Sequence, residues 1–333
     1  MNQDNTVNKN KSGGFRSILA RLVHSRELGV AAALLVIGTF FFLANDTFLT
    51  FRNILNVIRQ ISELGIIAVA MTILIISREF DLSVGSVFAV TPIVMSLLIK
   101  NVGLTVWLAA PASLLLAAGL GLINGLVTVK IMVPSFITTL GTMMVYRGLA
   151  LILSQGWPMS GLPDSIFYSL AAGRLPGSIP VPIVWLVLVS VAGWIVLHKT
   201  SYGFKVYATG GNQEAARLCG INTDRVKITN FILTALAAGS AGIMSLAYLG
   251  SATPTQGTGL ELEAIAASVI GGTALFGGAG TVFGTFLGAT IIGVVRNGLV
   301  LMGTSAYWQE ALIGLVIVLA VVINVQLGRR RGH

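Results

Sequence analysis

The sequence predicts an all-α polytopic membrane protein with roughly ten transmembrane elements, one of them short or re-entrant. Mean hydropathy is +0.87, and the 333 residues are 55% hydrophobic and only 10% charged, too little charge to clothe a water-soluble surface. The apolar residues come in continuous runs, not in the two-residue alternation of a membrane barrel. Such runs must be helices, because a backbone in lipid needs all its hydrogen-bond partners within the chain.

The runs are Leu28 to Ala44, then 54–76, 82–99, 104–129, 134–153, 180–197, 228–250, 281–302 and 307–327. Each approaches the length needed to cross about 30 Å of hydrocarbon. Leu262 to Ile270 is apolar but too brief to cross, and it ends at Gly271 and Gly272, which suits a half-helix or re-entrant segment. Residues 1–27 are polar and basic with no small-residue cleavage site before the first run, so they read as a cytoplasmic tail. Residues 328–333 form a second basic tail. Residues 28–327 are then one transmembrane domain.

The net charge of +9 is a topology signal, since the Lys and Arg residues lie between apolar runs and not on one nucleic-acid-binding face. With the N-terminus inside, most of them fall on the inner side, among them Lys9, Arg16, Arg78, Lys130, Lys205, Arg217, Lys227 and Arg329. Both termini are then cytoplasmic. The outer loop 154–180 is rich in Pro, Gly and Ser, carries one basic residue and suits contact with a soluble partner. The lone Cys219 and the scattered His24, His198 and His333 make neither an internal disulfide nor a metal site. The acids and histidines gather into no acid–base or nucleophile arrangement, so the chain reads as no enzyme.

The inner loop 198–227 is the longest polar stretch between runs. Within it Asn212 is placed to cap a helix of about two turns, Glu214 falls in the first turn, and Gly220 is suited to end it in a left-handed conformation. Ala215, Leu218 and Cys219 fall on one side, a small apolar patch with Ala216 beside it. From spacing alone this is either a capped helix packed on its own spans or a helix that a partner covers.

Several segments carry a resemblance. Glu214-Ala215-Ala216 with Gly220 resembles the E-A-A-x-x-x-G coupling motif of ATP-binding-cassette importer permeases, and YGFKVYATGGNQEAARLCGI is similar to the ribose-type sugar permeases. EFDLSVGS at 79–86 resembles that family's I-D-L-S-V-G-S, with Phe80 in place of the common isoleucine. PSFITTLGTMMVYRG at 134–148 and GLELEAIAASVIGGTALFGGAGTVFGTFLGA at 259–289 resemble two more of its segments, in the same order. The resemblance implies a bacterial inner-membrane permease that dimerises, as a homodimer or with a paralogue. It implies a cassette ATPase partner that uses ATP and Mg, a periplasmic sugar-binding protein, and no cofactor bound by this chain. Asn212, Glu214, Ala215, Ala216, Leu218 and Gly220 would then be the ATPase-coupling residues.

Other residues are read from their positions. Asp81, with Ser83, precedes an apolar run where a carboxylate can cap a helix start or meet the substrate path. Glu261 and Glu263 precede the half-helix and permit the same two roles. Gly280, Gly284 and Gly288 repeat at every fourth position as a helix-packing face, and the segment lacks the Gly-Lys-Ser/Thr of a nucleotide loop. Ser135, Thr138, Thr139 and Asn297 are pathway candidates or interhelical partners, and the intramembrane Arg296 needs a buried partner or snorkels. Import of branched-chain amino acids or nucleosides is the neighbouring alternative. A secondary transporter would need paired ionisable groups near the midplane.

Overall fold

The computed structural model describes residues 26–329, so most of the expected basic tails, 1–25 and 330–333, lies outside the described residues. All nine apolar runs are helical. In chain order they are α1 (Arg26–Ala44), α2 (Phe51–Ile76), α3 (Val84–Lys100), α4 (Val106–Lys130), α5 (Ser135–Ser154), α7 (Val181–Lys199), α10 (Thr223–Leu249), α12 (Val282–Leu301) and α13 (Ala306–Arg329). Short helices intervene: α6 (Ile166–Ala172), α8 (Ser201–Gly211), α9 (Gln213–Leu218) and α11 (Leu260–Ile270). Among the described residues seven helices are long and apolar enough to cross a membrane, and α3 is a shorter apolar helix of 17 residues. The chain is a multi-pass membrane protein.

Helix α3 is the hub, with almost every side chain buried among α10, α5 and α4. Helix α10 packs along α4, α3 and α2, while α2 also meets α12, α7 and α11. Helices α1, α5 and α7 lie at the perimeter and expose most of their apolar residues, as lipid-facing or partner-facing helices do.

Close approach of these helices rests on bare backbone. Pro92, inside α3, cannot donate to the carbonyl of Phe88, and that carbonyl faces Gly242 of α10, where any Cβ would overlap it. Gly284 and Gly288 of α12 press in the same way on the backbone of Gly271 and Ala267 at the end of α11. Gly280 departs from the expected stripe. It lies in the loop before α12, packs on Thr273 and Ile76, and its carbonyl accepts from the Tyr207 hydroxyl at 2.8 Å. Polar side chains pin the same contacts: Thr72 of α2 bonds Ser268 of α11 at 3.0 Å and Thr285 of α12 at 2.5 Å.

The loops expected on opposite sides gather at opposite ends of the bundle. At one end lie α8, α9 and the turn 271–281, where the Gly278 amide donates to the Ile76 carbonyl at 2.9 Å. At the other, loop 154–180 joins the chain after α10 through a two-stranded antiparallel pair, β1 (Met159–Ser160) with β2 (Ser251–Ala252). Loop 198–227 is more structured than its sequence suggests, because α8 precedes α9 and α10 already begins at Thr223.

A methyl group at Gly242 would meet backbone that cannot move aside, whereas Gly141 of α5 faces open space. Gly242→Ala should therefore lower the thermal unfolding midpoint in detergent, through an overpacking cost of about 1–3 kcal/mol. Gly141→Ala should leave that midpoint unchanged.

Candidate functional site: the α9 end and the broken helices

Helix α9 is built as a stub that presents one face outward. Asn212 accepts from the Ala215 amide at 3.0 Å, which caps the start. Gly220, with φ of +81°, turns the chain so that its own amide bonds Arg217 and that of Ile221 bonds Ala216. Ala216 is buried against the bundle, while Glu214, Ala215 and Cys219 are exposed and Leu218 is 90% exposed. Phe204 on α8 is 70% exposed at the same end. These apolar side chains are on view at the polar end of the protein.

Beneath α9 lies a floor of charge. Asp224, at the start of α10, pairs with Lys130 at 2.9 Å and Arg217 at 2.8 Å, and Arg217 also donates to Thr223 at 2.9 Å. These pairs are partly open to solvent. Lys227, one turn further in, is buried and donates to Glu79 at 2.6 Å and to Gln213 at 2.9 Å.

Glu79 belongs to the stretch 77–83, where the chain leaves α2 and enters the bundle without helical structure before α3 begins. Asp81 contacts Asn124, six residues and so about 9 Å in from the end of α4. It is fully buried and accepts from the Ser83 amide at 2.8 Å and the Ser83 hydroxyl at 2.6 Å. The carboxylate thus closes an Asx turn ahead of α3 and is not the residue that directly precedes the helix, which is Ser83. Asn124 donates to Ser83 at 2.8 Å and accepts from the Tyr146 hydroxyl of α5 at 3.1 Å.

The second break, 250–259, is held by a residue the sequence reading did not single out. Arg147 of α5 donates to the carbonyls of Pro254 at 2.6 Å, Gln256 at 2.7 Å and Gly85 at 3.1 Å. Its signal was present in the sequence: an arginine inside the apolar run 134–153 needs buried acceptors as much as Arg296 does. Glu261 folds back to accept from the Gly259 amide at 3.2 Å, and Glu263 pairs with Arg296. Arg296 therefore has a partner. These two, with Arg59, Glu63 and Gln309, line a cavity of about 300 Å³ between α2, α11, α12 and α13.

The polar residues proposed for a pathway are committed within the bundle. Ser135 accepts from the Phe80 amide at 3.3 Å, Thr139 donates to the Ser135 carbonyl at 2.7 Å, and Thr138 to that of Val133 at 3.4 Å. Asn297 exchanges hydrogen bonds with Asn53 at 2.8 and 2.9 Å, tying α12 to α2. No cluster of metal-ligating side chains occurs among the described residues.

A bundle of crossing helices with a buried break at 77–83, a second interruption at 250–259 and an outward-facing capped stub at one end is the architecture of a multi-pass membrane protein, and its relatives are named as permease components, which makes the chain a transport subunit and not an enzyme. The chain belongs to the family described as branched-chain amino acid transport system/permease component, which matches residues 53–321. It is 40% identical to the ribose import permease protein RbsC of Escherichia coli (strain K12) over 295 residues, 88% of this chain and 91% of that one. It is 40% identical to RbsC of Bacillus subtilis (strain 168) over 299 residues, 90% and 92% of the two chains. The autoinducer 2 import system permease protein LsrC of Photorhabdus luminescens is 32% identical over 310 residues, 93% of each chain. No solved structure matches significantly.

The Asp81 network sets a test of its first role. Asp81→Asn keeps an oxygen for both Ser83 donors, whereas Asp81→Ala strands the buried amide and hydroxyl of Ser83 without their acceptor. Each stranded group costs about 1–3 kcal/mol. Thermal unfolding in detergent should show Asp81→Asn near wild type and Asp81→Ala clearly lowered.

Proposed function

We propose that this chain is the membrane-spanning subunit of an ATP-driven importer and that it carries a monosaccharide or related polyol into the cytoplasm. The importer class and a sugar cargo have direct support from the similarity, at about 90% coverage, to two ribose permeases of unrelated bacteria. The observation that carries the mechanism is the capped α9, which exposes Ala215, Leu218 and Cys219 as an apolar face while burying Ala216. An exposed apolar surface at a polar protein end marks a partner site. A cassette ATPase that uses ATP and Mg is the partner this helix fits.

Sidedness follows from charge. The α9 end gathers Arg78, Lys130, Lys205, Arg217, Arg225 and Lys227, so it faces the cytoplasm of a bacterial plasma membrane, with both termini on that side. Loop 154–180 then faces outward, where exposed Trp157, Ile166 and Leu170 suit contact with a soluble sugar-binding protein. Two permease copies, identical or paralogous, would enclose the pathway, and the poorly buried α5 and α7 are the faces free to meet a second copy. Branched-chain amino acid import is the second reading, favoured by the description of the matched family. Uptake assays with labelled ribose and labelled leucine separate the two.

Leu218→Asp, which places a charge in the apolar face, should abolish copurification of the ATPase and reduce ATP-dependent uptake by about tenfold or more, as charged substitutions at hot spots do. Gly220→Ala, which puts a Cβ at φ +81°, should weaken both to a smaller degree. Undiminished copurification and uptake with Leu218→Asp would refute the docking role of α9.

A further inference from the structure

We infer that the buried pair Lys227–Glu79 is the transmission joint of this permease, carrying movement of α9 to the broken segment 77–83 and from there to α5. The inference rests on the reading of α9 as the ATPase docking helix and goes beyond it, because docking requires only the outer face of α9. Lys227 and Glu79 act as positioning residues, since neither lies on the exposed face that a partner would cover.

The argument begins with the attachments of α9. Its polar side chains reach the bundle along two routes, and both land on α10. One runs from Arg217 to Asp224, a pair whose arginine side chain is 55% exposed and which also engages a 60% exposed Lys130. Water and salt weaken such a contact, so it transmits little force. The other runs from Gln213, the first residue of α9, to Lys227 at 2.9 Å and on to Glu79 at 2.6 Å, with the lysine and glutamate side chains only 9% and 10% exposed. A charge pair sheltered from solvent is the stiffer link.

What Glu79 is attached to makes the link consequential. The preceding residue, Arg78, has φ of +69°, a left-handed conformation that is uncommon outside glycine, and its guanidinium Nε is held by the Phe276 carbonyl at 2.5 Å. Phe80 donates its amide to Ser135 at the start of α5. Beyond it, Asp81 and Ser83 lead through Asn124 to Tyr146. Tyr146 adjoins Arg147, which holds the second break. A displacement of Glu79 would therefore reach α5 at its start and near its middle.

The joint also has room to move. A cavity of about 300 Å³ lies directly against it, lined by Glu79, Gln213, Lys227, Asp224 and Ser135 among others. Close-packed protein does not deform continuously, so a link between two discrete arrangements needs free space at its side. Stability alone gives no reason for the pair, because apolar residues of similar volume replace buried ion pairs at little or no cost.

That last point supplies the experiment. Full-length permease carrying Lys227→Met with Glu79→Leu is purified with its ATPase, placed in liposomes with its binding protein, and compared with wild type for unfolding midpoint, ATP hydrolysis and uptake of labelled ribose. The expected result is an unchanged midpoint, retained ATPase, and a rise of about tenfold in ATP hydrolysed per sugar imported, the size of a typical coupling between sites. The reversed pair, Lys227→Glu with Glu79→Lys, should restore most of the ratio. An unchanged ratio in the apolar variant overturns the inference. So does loss of the ATPase, which would make the pair part of docking, and so does a fall in hydrolysis and uptake together with the midpoint, which would make it structural. Leu218→Asp run alongside tests α9 itself: retained ATPase there refutes the docking reading independently of the pair.

Discussion

Every feature of this protein answers to one constraint: in lipid, each backbone N–H and C=O must find its partner inside the chain. Unbroken helices meet it locally. The stretch 77–83, which enters the bundle, and the turns 250–259 and 271–281 at its two ends do not, and neighbouring elements supply their partners. The Ile76 carbonyl receives the Gly278 amide, Arg147 spends three hydrogen bonds on the carbonyls of Pro254, Gln256 and Gly85, and Asp81 closes the turn ahead of α3. Bare glycines let helices come close enough for this to work, as Gly242 does on the carbonyl that Pro92 leaves unserved. A single long arginine side chain thus replaces a whole turn of helix as the source of donors.

The same economy explains where the protein can change shape. Helix interiors such as α3 are filled on all sides and offer no alternative arrangement. The breaks are different, because their hydrogen bonds come from side chains on neighbouring elements and move when those elements move. Transport by alternating access needs a bistable element that an energy source can bias. The segment 77–83 is proposed for that part, on its left-handed Arg78, the buried charge pair at Glu79 and the cavity beside it. With an ATPase docked on α9, as proposed, the chain from Gln213 through Lys227 would be the side-chain route from that helix to the break.

The placement of charges follows one logic on both sides of the bundle. Asp224, Lys130 and Arg217 sit at an end where water reaches them and serve mainly to orient α9 and α10. Glu263 and Arg296, with Arg59 beside Tyr248 at 3.9 Å, are pairs within the helices, where an unpartnered charge would be costly. Pairing within the bundle lets this chain keep ionisable residues inside its apolar runs.

The sequence by itself determined the class of this protein, because solvent selects composition. Nine apolar runs, basic residues between them and a short apolar stretch ending in two glycines specify a helical membrane bundle with a half-helix, whatever the helices touch. Asn212, Glu214 and Gly220 were equally legible, since a capped stub is made of neighbours in the chain. The role of Gly280 was not. Its spacing matches Gly284 and Gly288, yet α12 begins only at Val282, and nothing in a four-residue period says where a helix starts. Nor could spacing show that Asp81 lies deep beside Asn124, that Arg147 holds a break a hundred residues away, or that Lys227 meets Glu79 across 148 residues. Those are contacts between distant segments, decided only when the helices pack, and buried polar groups took whichever partners that packing brought within reach.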